Sequence, residues 1–192
     1  MKRVRSLSDK MTNHLKAIIG ALFVAYALLL PVLCAAQPAK VDLAARKTGA
    51  SGLPVPRFVS LKADEVNVRR GPGWDHGVAW VFRRAGLPVE VIEEFDVWRK
   101  IRDSEGSEGW VLGTLLSGRR TVLIAPWKTN AQGLELHESD SSTSSVAVKL
   151  SPKVLGDVKS CDGRWCQITT GDYKGFISQD LVWGVYPGEK VE

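Results

Sequence analysis

Val66-Asn67-Val68-Arg69-Arg70-Gly71-Pro72-Gly73-Trp74 is the stretch whose reading decides the fold. Val66 and Val68 alternate with Asn67 and Arg69, the period of a strand with one buried face. Gly71-Pro72-Gly73 then requires a tight turn, because proline fixes φ and glycine reaches backbone angles closed to other residues. Outward from this stretch lie short runs at Phe58–Lys62, Val78–Arg83, Pro88–Glu93, Trp98–Arg102 and Gly109–Leu112, each bounded by turn residues. That rhythm predicts an all-β fold. No amphipathic helix of useful length follows residue 36.

The second half repeats the first. Trp98-Arg99-Lys100-Ile101 falls on Trp165-Cys166-Gln167-Ile168, Gly109-Trp110-Val111 on Gly175-Phe176-Ile177, and Val66-Asn67-Val68-Arg69 on Leu134-Glu135-Leu136-His137. Three anchors in one order predict two modules, at 57–120 and 121–187, each near the lower size limit for independent folding. A small barrel suits that length, since it leaves few free strand edges. The alignment also sets Glu94 and Arg99 where the second module has Cys161 and Cys166. A cross-strand ion pair, read as exposed and weak, is thus expected to match a disulfide. Cys161 and Cys166 enclose Asp162-Gly163, a hairpin-turn signal, and their spacing is not that of a redox pair.

Val66-Asn67-Val68-Arg69-Arg70-Gly71-Pro72, Gly86-Leu87-Pro88-Val89-Glu90-Val91, Trp98-Arg99-Lys100-Ile101 and Gly109-Trp110-Val111 together resemble the bacterial SH3 domains. The first module fits along nearly its whole length. The second keeps Trp165, Gly175, Phe176 and Leu181 but has Glu138-Ser139-Asp140 where the Gly-Pro turn would stand, and its polar stretch Ser139–Ser145 is expected to be a mobile version of the first module's Gly71–Gly77 loop. The resemblance implies two tandem, partly open SH3-like β-barrels, an extracytoplasmic setting, and binding rather than catalysis, often at the cell wall.

The N-terminus carries an address. A cationic stretch, residues 1–16, runs into the uncharged apolar block Ala17 to Leu33, interrupted near its end by Pro31, and then into the small residues Cys34, Ala35 and Ala36, the layout of a signal peptide built on one apolar helix. Cleavage is expected after Ala36, where small residues at Cys34 and Ala36 suit a signal peptidase. The alternatives are an uncleaved inner-membrane anchor over residues 17–36 and a lipoprotein acylated at Cys34. All three export the remainder to the periplasm or beyond, an oxidising setting in which the two remaining cysteines pair. Residues 37–56 read as a flexible linker.

Charge narrows the partners. Of the formal net +5, four units fall in residues 1–36. Residues 57–120 have 11 cations against 10 anions, and residues 121–192 have 7 against 9. Such a balance releases few counterions, so nucleic acid is not expected as a partner, and the membrane is one only through an uncleaved N-terminus. His76 and His137, the histidines beyond residue 36, stand in no metal-ligand or nucleophile-and-base pattern, and both cysteines are used by pairing. No enzyme activity, metal or cofactor is therefore expected. Glu93, Glu94 and Asp96 read as a solvated hairpin end rather than a glycosidase pair. The candidate ligand-binding residues are Arg69, Trp74, His76, Trp80, Trp98 and Trp110, an aromatic groove of the kind that takes extended peptides or stacks on sugars. Trp74, on the loop, is the foremost of these. Trp98 and Trp110 are more often core in such patterns, and an arginine such as Arg69 on a strand edge is more often solvated or bracing the adjacent loop than holding a ligand. The expected ligand is peptidoglycan or a wall peptide; the alternative is an envelope protein served by an adaptor.

Overall fold

The computed structural model describes residues 42–129 and 133–192. The expected signal peptide with its expected cut after Ala36, the alternative anchor over residues 17–36 and residues 37–41 of the expected linker lie outside the described residues. No helix among the described residues is long and apolar enough to cross a membrane.

After a small hairpin, β1 (Lys47–Thr48) and β2 (Pro54–Val55), the chain builds β3 (Arg57–Leu61), β4 (Val66–Arg69), β5 (Val78–Phe82), β6 (Pro88–Phe95), β7 (Trp98–Arg102), β8 (Glu108–Leu112), a 3-10 turn at Gly113–Leu115 and β9 (Leu116–Ser117). It then builds β10 (Thr121–Ile124), β11 (Leu134–His137), β12 (Val146–Leu150), β13 (Leu155–Asp162), β14 (Trp165–Thr170), β15 (Tyr173–Ser178), a 3-10 turn at Gln179–Leu181, β16 (Val182–Trp183) and β17 (Lys190–Val191). The first sheet runs β5-β4-β8-β7-β6-β3-β9 and the second β12-β11-β15-β14-β13-β10-β16, the same order element for element. All pairings are antiparallel, and each sheet curls around its own apolar face.

The duplication reaches the irregularities. Both copies slip register after the third residue of corresponding strands, at Val68/Arg69 in β4 and Leu136/His137 in β11, and again along the long strands β6 and β13, at Val91/Glu93 and Val158/Ser160. Both require a glycine at the same place. A Cβ at Gly109 would collide with the Val68 side chain, and one at Gly175 would lie 2.5 Å from the His137 carbonyl oxygen. The first core gathers Val66, Val68, Val91, Ile101 and Val111, and the second Leu136, Cys166, Ile168 and Ile177, all at most 0% exposed. Trp98 and Trp110 belong to neither cluster, although they are buried.

Two expected boundaries move. Residues 47–55 of the presumed linker form the β1–β2 hairpin, and Ser51 donates from its backbone N–H (2.7 Å) and its Oγ (2.8 Å) to the Glu94 carboxylate. A flexible spacer has no such distant partner. At the other end, the second module does not stop at Pro187: β17 pairs with β13, setting Val191 opposite Cys161 and Lys190 opposite Asp162.

The modules also share a contact surface. Phe58 on β3 packs against Trp183 and Tyr186 of the second module at centroid distances of 5.0 and 4.6 Å. Between them the buried Glu90 accepts from the Tyr186 hydroxyl (2.8 Å) and from Arg102 (3.1 Å). Burial, and then the Glu90 carboxylate beside it, pushes the Tyr186 hydroxyl well above its ordinary pKa, so it stays a donor. Thr121 donates to the Gly86 carbonyl at 2.7 Å and Trp183 to the Pro88 carbonyl at 3.3 Å.

Candidate functional site

Strand parity sets the geometry. Ile101 and Val111 point into the first core, so their neighbours Trp98, Lys100 and Trp110 face the opposite, outer side of the sheet. Cross-strand register puts Arg69 beside Trp110, Trp110 beside Lys100, and Trp98 beside Phe95 on that same outer side. The Arg70–Gly77 loop, closed by the Arg70 N–H to the Gly77 carbonyl at 3.1 Å, carries Trp74 back over this face. Trp74 meets Trp98 edge-on at 5.2 Å. Trp98 is 5% exposed and Trp110 9%, whereas Trp74 is 69% exposed and Phe95 58%. The two buried rings are thus the floor of an outer aromatic face and not barrel core, a correction to the reading from alternation alone.

Arg69 holds the loop. Its Nη1 donates to the His76 carbonyl at 2.7 Å and to the Trp74 carbonyl at 3.4 Å, while its guanidinium lies 5.1 Å from the Trp74 ring centre. A cation over an indole face contributes about 0.5–1 kcal/mol at an exposed site. His76 is exposed, and its imidazole packs flat on Gly71, where a Cβ would come within 2.5 Å of Nε2. It shapes the loop that presents Trp74. Trp80 does not join this face: it pairs with Val68, stands edge-on to Phe82 at 6.1 Å, and packs on the core. Of the six candidates, then, Arg69, Trp74, His76, Trp98 and Trp110 come together and Trp80 does not. Phe95 joins them, together with the exposed Val97 at the hairpin tip. Phe95 is legible in the sequence as the cross-strand partner of Trp98; an acidic neighbourhood, Glu93, Glu94 and Asp96, disguised it.

That acidic neighbourhood is only partly solvated. Glu94 is 1% exposed at its side chain and shared between Arg57 (2.7 Å) and Arg99 (3.2 Å), besides Ser51. Burial alone would raise its pKa, but the Ser51 and Arg57 hydrogen bonds outweigh it and hold the carboxyl down at about 2. The ion pair expected at the surface is a buried clasp that ties the N-terminal hairpin to β6. Glu93, at 59% exposed, remains in solvent as expected.

The second module keeps the brace without the platform. The His137 Nδ1 lies 3.2 Å from the Ser144 carbonyl, the counterpart of the His76 carbonyl held by Arg69, and its ring stands edge-on to Trp165 at 5.7 Å. Its loop is not loose: Ser144 Oγ donates to the Ser141 carbonyl at 2.9 Å and to the Ser139 carbonyl at 3.3 Å, and the Glu138 N–H reaches the Ser145 carbonyl at 3.0 Å. Hydroxyl bonds thus replace the Gly-Pro turn. Where module one exposes Trp74, Phe95 and Val97, module two has Ser142, Asp162 and Arg164. Cys161 and Cys166 face each other in register and are joined as a disulfide.

Two solved structures, NlpC2 and NlpC1 from Trichomonas vaginalis, are similar at 12% identity and a TM-score of 0.30, covering 67% and 76% of this chain. This chain spans about half of theirs, 48% and 51%, and the likeness is too distant to inform on function. No curated protein matches. The family model described as "Bacterial SH3 domain" matches twice, over residues 62–118 and 138–184, more than half of the chain. With the same strand order in both halves, this protein belongs to the bacterial SH3 domain family and carries the domain in tandem.

Proposed function

We propose that this is an exported, non-catalytic protein of the bacterial envelope that binds peptidoglycan or its peptides through the outer aromatic face of its first module. One observation carries the reading: Trp74 is 69% exposed on a loop braced by Arg69, above the buried Trp98, with no aromatic at the equivalent Ser142. A large ring held in place yet left in solvent pays little ordering entropy when a ligand covers it. Rings of this kind stack on sugars and cover extended peptides. The N-terminal charge and apolar block supply the route to the periplasm.

Co-sedimentation of the purified protein with wall sacculi tests this. Retention of the native protein and at least about tenfold weaker retention of Trp74→Ala are expected, the loss of one anchoring aromatic. No retention, or retention unchanged by the substitution, overturns it. The second reading, an adaptor for an envelope protein, is favoured by the exposed Phe95 and Val97 beside Trp74, since an apolar patch is also how partner proteins are met. Co-purification of one stoichiometric partner, lost in Trp74→Ala and free of glycan, would select it.

A further inference from the structure

A cleft of about 480 Å³ that shares no lining residue with the aromatic face opens between the β1–β2 hairpin, β3 and the connection from Gly113 to Arg120, with Arg99 and Glu189 also in its wall. Four guanidinium groups line it: Arg46, Arg57, Arg99 and Arg120. Two carboxylates answer them. Glu94, shut from solvent, is shared by Arg57 and Arg99, and Glu189 is held two-pronged by Arg120 at 2.9 Å on each oxygen. Two positive charges are left over in a half-enclosed space whose other walls include Leu53, Phe58 and Leu116. Bringing like charges together there is unfavourable unless something anionic joins them.

Three of these arginines have structural tasks that account for them. Arg57 donates to the Pro54 carbonyl, Arg99 to the Asp96 and Trp98 carbonyls, and Arg120 to the Gly184 carbonyl. Arg46 is different. It makes no ion pair among the described residues; its Nε and Nη1 reach the Leu43 and Pro56 carbonyls, and its guanidinium lies 5.8 Å from the centre of the Tyr186 ring. Those contacts use Nε and Nη1 and hold the fork in the cleft wall, and no hydrogen bond engages Nη2 among the described residues. A positioned guanidinium beside apolar walls suits a carboxylate or phosphate carried on a small apolar body.

We propose that this arginine-lined cleft is a second binding site, separate from the aromatic face, that takes the anionic head group of a small ligand, a carboxylate or a phosphate. Calorimetric titration of the purified protein with acetyl-dialanine, its C-terminal amide and inorganic phosphate tests it. Binding of the free acid or of phosphate is expected with a Kd below about 10 mM, with the amide at least about tenfold weaker than the acid. The acid binding more tightly assigns the site to peptide ends, and phosphate binding more tightly assigns it to phosphorylated ligands. Arg46→Gln should weaken the favoured anion about tenfold while lowering the melting temperature by only a few degrees, because Arg46 holds backbone carbonyls and the Tyr186 ring but belongs to neither carboxylate clasp. Arg83→Gln, at a side chain 75% exposed and paired with Glu65, should change nothing in anion binding, and neither should Trp74→Ala. Equal binding of acid and amide, no binding of either anion at that concentration, or an Arg46→Gln protein that binds as the native one does would overturn the proposal.

Discussion

The ends of the two long hairpins, β6–β7 and β13–β14, are built alike and closed by different chemistry. In both, two residues face each other at the same register, Glu94 with Arg99 and Cys161 with Cys166, and a further piece of chain is laid against the end. Module one recruits the N-terminal β1–β2 hairpin through Ser51; module two recruits β17. A covalent bond and a buried carboxylate thus do the same geometric task, and they differ in what can undo it. The carboxylate answers to protons, the disulfide to reductant.

Breaking module one's clasp should have the larger effect. Glu94→Gln leaves Arg57 and Arg99 without their shared anion, a loss on the order of 3 kcal/mol in urea unfolding, accompanied by faster amide exchange at Ser51. Acid should reproduce it. The folded carboxyl titrates near 2 against an ordinary 4.5, so its contribution is fully present above pH 4.5 and disappears as pH falls from there towards 2, about 3 kcal/mol in all. In Glu94→Gln that pH dependence should flatten; an unchanged acid profile would show that another group carries it. Replacing both Cys161 and Cys166 by serine should cost about 2 kcal/mol, the chain-entropy value for so short a loop, with no change in the acid profile. Tyr186→Phe should cost about 1 kcal/mol by removing the donor to buried Glu90, and should weaken the coupling of the modules in differential unfolding. Two separated transitions in that variant, against one in the native protein, would sharpen the comparison further.

Much of this was legible in the residues. The alternation of Val66 and Val68, the Gly-Pro turn and the paired anchors at Trp98/Trp165 and Gly109/Gly175 give strands, topology class and duplication, and the disulfide followed from the enclosed Asp162-Gly163 turn. What escaped depends on distant contacts. Lys47-Thr48 and Pro54-Val55 are too short to show a period, and their hairpin is anchored by Glu94, 43 residues from Ser51. Tyr186 meets Glu90 across 96 residues, so the surface joining the modules left no local mark. Alternation alone reads Trp98 and Trp110 as core, because nothing local shows that the loop carrying Trp74 folds back over the outer face. Trp80, two residues from Val78 on β5, falls on the core side through its pairing with Val68, a register that follows only from the bulge after Val68.

The difference that bears on function is that a shared scaffold offers an aromatic platform in one copy and polar residues in the other. The indole N–H resonances of the seven tryptophans, followed by NMR as soluble wall fragments are added, test this most directly. Shifts at Trp74 and Trp98, with Trp165 and Trp183 unmoved, are the predicted result. Equal shifts at Trp165, or none at Trp74, would contradict a binding face on the first module.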